Sequence, residues 1–139
     1  GPMSPTERER LRLWSAKVLG CVEWHHPRTG ELIGFVAEDG QHWYLDVIRL
    51  PAGDNRLWNP CRSLDQAVMV ARKLCAEGRK IELRWYPVGR VVAEIYWANP
   101  YKTGPDESGA HVGQADIPNE AEALLIACAD AAGEKGRDG

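Results

Sequence analysis

Residues 58–78, WNPCRSLDQAVMVARKLCAEG, decide how the rest of the chain is read: an aromatic anchor leads into one well-punctuated amphipathic helix. Ser63 precedes Gln66 at the spacing of a capping box, in which the Ser hydroxyl and the Gln amide each satisfy an orphan N–H of the first turn. Leu64, Ala67, Val68, Ala71, Leu74 and Cys75 recur at helical spacing, while Asp65, Arg72, Lys73 and Glu77 lie off that stripe. Gly78 supplies the left-handed stop. Such a stripe must be buried, and strand-like segments on both sides offer the surface to bury it against.

Upstream, Ser4, Pro5 and Glu7 form a second capping box for a helix whose buried stripe is Leu11, Trp14 and Val18, widened by Leu13 and Leu19 and ended by Gly20. Residues 23–31 read as a polar loop. Residues 33–37 read as a strand, Asp39-Gly40 as a type I′ turn, and residues 41–50 as the returning strand, with Trp43, Leu45 and Val47 alternating against His42, Tyr44 and Asp46. Residues 51–55, PAGDN, turn the chain into the central helix.

Downstream, Ile81, Leu83 and Trp85 alternate with polar neighbours, Pro87-Val88-Gly89 turns, and Val91, Ala93, Ile95 and Trp97 alternate in the return strand. Residues 99–115 read as a long loop of the kind that often carries function. Asp116 and Pro118 introduce a last helix with the stripe Ala121, Leu124, Leu125, Cys128, Ala131 and Ala132. The expected fold is therefore α+β in the order helix, hairpin, helix, hairpin, helix. Its hairpins merge into one four-stranded antiparallel sheet packed with helices. The domain is expected over residues 4–132, after a start at residues 1–3 that includes a protease-cleavage scar and before a flexible tail at 133–139.

The 139 residues, 44% hydrophobic and 27% charged, suit one core. No apolar run reaches bilayer length, so a cytoplasmic protein without membrane contact is expected. A net charge of −3 disfavours sequence-independent nucleic-acid binding. Cys21, Cys61, Cys75 and Cys128 lack CxxC spacing and read as free structural thiols. His25, His26 and Glu23 lack a later ligand pair, so no metal and no cofactor are expected. No P-loop, nucleophile elbow or HExxH occurs, and Asp106, Glu107, Ser108 and His111 form no catalytic signature, so no catalytic residue is assigned.

Several segments together resemble the phage ABA sandwich domain family: LWSAKVLGC at 13–21, WNP at 58–60, SLDQAVMVARKL at 63–74, EIYWA at 94–98 and ADIPNEAEALLIACADAA at 115–132. The resemblance spans roughly residues 11–132, and its motifs are structural punctuation. It implies a bacteriophage or prophage origin, hence a host-cell cytoplasmic setting, and a layered α/β sheet. It carries no catalytic residues onto this chain.

Outward strand parity supplies the candidate ligand-binding residues. His42, Tyr44, Arg84, Tyr86 and Tyr96, with Arg90 at the turn, would share one face if the strands share one sheet. Tyr101 and Lys102 open a Gly-rich loop able to close over a ligand. An ordinary solvated face with cross-strand pairs explains the same residues. The expected function is a phage-encoded accessory protein that counters host antiphage defence without catalysis, by sequestering a nucleotide-type signal. The alternative is an anti-CRISPR-like inhibitor that docks on a host defence protein, and an enzyme acting on a nucleotide comes third. Sequestration implies a concave Arg/Tyr/Trp pocket, compatible with a homo-oligomer interface, whereas inhibition implies a flat or acidic surface.

Overall fold

The computed structural model describes residues 3–97 and 110–133. Its elements are α1 (Pro5–Val18), β1 (Val22–His25), β2 (Leu32–Val36), β3 (His42–Tyr44), a 3-10 turn at Val47–Arg49, α2 (Leu64–Ala76), β4 (Arg79–Tyr86), β5 (Arg90–Trp97), β6 (His111–Asp116) and α3 (Glu120–Ala131). The chain is α+β, but the strands form two separate three-stranded antiparallel sheets, β1-β2-β3 and β4-β5-β6, and no four-stranded sheet.

Each hairpin recruits a third strand from a segment that reads as loop. Val22 and Trp24 pair with Val36 and Gly34, so β1 occupies part of the expected polar loop at 23–31. β6 occupies the end of the expected loop at 99–115, and Asp116 closes this strand instead of opening a helix. The rest of that loop, apart from Ala110, lies outside the described residues, as does the expected tail beyond Gly133.

The returning strand at 41–50 stops at Tyr44. Asp46 Oδ1 accepts the Ile48 N–H at 2.9 Å, a local side-chain bond that turns the chain out of the ladder. The backbone of Tyr44 is instead taken by the next segment, whose Arg56 carbonyl accepts its N–H at 2.8 Å and whose Trp58 N–H donates to its carbonyl at 2.7 Å.

The helix caps follow the sequence reading in part. Ser4 accepts the Glu7 N–H, Ser63 accepts the Gln66 N–H, and Gly78 leaves α2 at φ 100°. Gln66 does not complete its capping box. Its Oε1 accepts the Asn59 N–H at 2.6 Å and its Nε2 donates to the Leu57 carbonyl at 2.7 Å, so the amide pins the anchor segment. The buried row of α2 is Ala67, Val70, Ala71 and Leu74, joined by Gln66, whereas Leu64 and Cys75 face solvent.

The helix at the centre of the larger core is α3, not α2. All its residues except Glu120 and Asp130 are buried, between α2 and the inner row Val91, Ala93 and Ile95 of β5. Gly113 of β6 permits this closeness, because a Cβ there would collide with the Ala123 carbonyl oxygen and lie 2.7 Å from the Ala127 nitrogen. A smaller core joins Ala16 of α1, Phe35 of β2 and Trp58, with Leu13, Leu19 and Trp43 around them. Arg12 ties α1 to the anchor segment: its guanidinium donates to the Leu45 and Trp58 carbonyls, and Trp58 Nε1 donates back to the Arg12 carbonyl at 3.0 Å.

Candidate functional site

The two sheets place the expected site residues apart. His42 and Tyr44 lie on the first sheet, while Arg84, Tyr86, Arg90 and Tyr96 lie on the second, so the proposed common face does not exist. Tyr101 and Lys102 lie outside the described residues.

On the second sheet, register puts Glu82 opposite Glu94, Arg84 opposite Val92 and Tyr86 opposite Arg90. Two carboxylates directly across from each other repel unless a cation intervenes. Arg84 supplies it, with Nη2 at 2.8 Å from Glu82 Oε2 and Nη1 at 3.8 Å from Glu94 Oε1. Tyr96 donates its hydroxyl to Glu82 Oε1 at 2.8 Å. These bonds hold the Glu82 carboxyl below its ordinary value, Arg84 more than Tyr96, and the same carboxylate holds the Tyr96 phenol above its own. Arg84 is raised chiefly by Glu82. Tyr96 is only 2% exposed, so its ring presents no stacking surface. This face is a cross-linked charge lattice, and Tyr86 and Arg90 remain its exposed aromatic and cationic pair, Arg90 touching Gln114 at 3.2 Å.

The outer face of the first sheet is different in kind. Register aligns Val22, Val36 and His42 in one row and Trp24, Gly34 and Tyr44 in the next, none of them an acid, a lysine or an arginine. Trp24 lies across Gly34, where a Cβ would stand 3.0 Å from its ring. It meets His42 and Tyr44 edge to face, with centroids 4.7 and 5.1 Å away. Val22 is 67% exposed, and Val22, Trp24, Val36 and Tyr44 belong to neither core. An antiparallel sheet that faces water ordinarily turns polar residues outward. This one turns outward aromatic and aliphatic groups of the kind enriched at recognition surfaces.

Residues 22–25 were hidden by the polar run that follows them. Their alternation, VEWH, is the signal that finds Val22 and Trp24.

The remaining polar clusters are structural. His25 Nε2 pairs with Glu23 at 3.0 Å and His25 Nδ1 with the Gly30 carbonyl at 2.9 Å, which raises the imidazole, the Glu23 bond contributing most. His26 Nδ1 accepts the Arg28 N–H at 3.1 Å within the turn. Among the described residues no group of three or more His, Cys, Asp or Glu could hold a metal. All four cysteines are unpaired thiols. Burial pushes Cys61 up to about 11 and Cys128 up to about 12, which keeps both protonated and unreactive near neutrality. No helix of the described residues is long and apolar enough to cross a membrane.

Compared with known proteins, the chain matches no family model, no curated protein and no solved structure.

Proposed function

We propose that the protein acts by binding and not by chemistry, docking on another protein through the outer face of its first sheet. The observation that carries this reading is the uncharged face of Val22, Trp24, Val36, His42 and Tyr44 around Gly34. A rigid aromatic cluster loses little conformational entropy on contact and supplies the Trp and Tyr anchors that dominate interface energetics. The resemblance to the phage ABA sandwich domain supplies the setting, in which a host defence protein is the partner and inhibition the result. Sequestration of a nucleotide-type signal is the second reading, favoured by Tyr86 opposite Arg90, where stacking and phosphate pairing could act together.

The test is a restriction assay in a panel of defended hosts, followed by binding of the purified chain to the defence protein whose action it relieves. Trp24→Ala and Tyr44→Ala should each weaken that binding about tenfold or more while the fold is retained, and Arg90→Ala should not. If Arg90→Ala removes protection, and the parent instead binds a cyclic oligonucleotide in calorimetry, the second reading replaces the first.

A further inference from the structure

The second sheet ends in an open strand. β4 is eight residues long and bonds to β5 on one side, and among the described residues no strand pairs with its other edge. Its inner row is also incompletely covered: Val91, Ala93 and Ile95 on β5 are fully buried, whereas Ile81 and Leu83 are half-buried and Trp85 is 56% exposed. The apolar layer therefore runs out to this edge and stops there.

We propose that β4 pairs antiparallel with β4 of a second copy of this chain, joining the two second sheets into one continuous sheet about a two-fold axis through Leu83. The charges choose the register. With Leu83 opposite its own copy, Glu82 of each chain faces Arg84 of the other, Lys80 faces Tyr86, and Ile81 faces Trp85. A shift of two residues either way sets Glu82 against Glu82 or Arg84 against Arg84. A slip of one residue lays the apolar row against the charged row. A larger shift can pair Lys80 with Glu82 but engages little more than half of the strand.

Charged side chains usually keep an edge strand single. Here the same charges repel in the neighbouring registers and attract in this one, which makes the edge selective for its own copy. The β6 edge, with which no strand pairs among the described residues, lacks that property, since the outer row of β6 is Val112, Gln114 and Asp116 and offers no complementary pair to itself. Joining β4 to β6 would be head to tail and would build an open fibre, whereas β4 with β4 closes. The inference is independent of the partner that the first sheet binds.

The experiment is native mass spectrometry and sedimentation on the full chain over a dilution series, with the single variants Glu82→Arg and Arg84→Glu. The parent should form a dimer that dissociates on dilution. Each variant alone should be monomeric, because both cross-axis pairs would then set like charges against each other, two cations in the first variant and two carboxylates in the second. An equimolar mixture of the two variants should recover a one-to-one heterodimer, since every cross-axis pair is then opposite in sign. Hydrogen exchange on the unmutated chain provides a readout without substitution: β4 amides should slow as concentration rises while β6 amides do not. A parent that stays monomeric throughout, variants that each dimerise as the parent does, or folded variants whose mixture stays monomeric would overturn the proposal. A β4 edge that is protected in the monomer, as it would be if it held a peptide, would also overturn it.

Discussion

The outer faces of the two sheets differ in what their residues already have. On the second sheet Glu82, Arg84, Glu94 and Tyr96 satisfy one another across the β4–β5 pair, so these groups already have partners within the chain. On the first sheet His42 and Tyr44 each meet Trp24 edge to face, and Val22 beside them is exposed to water. An exposed arginine or tyrosine is thus a weak pointer to a binding site until its partners are known. A face with nothing left to satisfy but water exclusion is a stronger one.

The largest effect that separates the two regions is expected at their glycines. Gly113→Val drives a side chain into the backbone of α3 at the centre of the larger core. Overpacking against backbone that cannot yield costs about 3 kcal/mol or more, a large share of the roughly 5–15 kcal/mol that holds a domain together. Loss of the cooperative transition in thermal circular dichroism checks this. Gly34→Val strikes the Trp43 carbonyl oxygen and the Trp24 ring instead. It should dismantle the first sheet while the amide resonances of β4, β5 and β6 keep their dispersion. If Gly34→Val also collapses those resonances, the two regions are one unit and the comparison fails.

Trp24→Ala and Arg84→Ala form a sharper pair. The first should weaken partner binding about tenfold or more, at about 1.4 kcal/mol per decade, with little change in melting temperature. The second should leave binding intact and lower stability slightly, because Glu82 and Glu94 then face each other uncompensated. Reversal of the two outcomes would move the site to the second sheet.

The smallest effects are titrations of opposite sign. His25 on β1 is raised by Glu23, so its contribution is complete below the ordinary histidine value and is lost as pH rises through the raised one. Glu82 on β4 is lowered chiefly by Arg84, so its contribution is present above the ordinary glutamate value and is lost as pH falls through the lowered one. NMR titration should find the two groups displaced in opposite directions. Either group titrating at its ordinary value would mean that its pair does not persist in solution.

Much of the local structure was legible in the sequence, because caps, turns and long alternating strands carry their own signals. Ser4, Ser63, Gly20, Gly78 and the β4–β5 hairpin fall where those signals put them. The third strand of each sheet was not legible. β6 reads HVGQAD, and its inner row of His111, Gly113 and Ala115 has no large aliphatic side chain; at Gly113 the backbone of α3 leaves no room for one, so close packing erased the apolar pattern that marks a strand. β1 is four residues long and runs into a polar turn. With those two strands unseen, the hairpins had no reason to stay apart, and the common outer face of His42, Tyr44, Arg84 and Tyr96 followed from merging them. The candidate site was half legible: His42 and Tyr44 stood in the reading, and Trp24, which completes their cluster, did not.

The separation of the sheets has a consequence for how the protein can vary. The first sheet holds itself to α1 and the anchor through Phe35, Trp43 and Trp58, all on its inner side, while Val22, Trp24, Val36 and Tyr44 lie in neither core. Substitutions at those four positions are therefore decoupled from the packing that makes the chain fold. A lineage under pressure from a changing partner can rewrite those few positions without first repairing the interior. A laboratory library confined to the same positions should return folded variants far more often than one spread over Glu82, Arg84, Glu94 and Tyr96, whose side chains hold one another across β4 and β5.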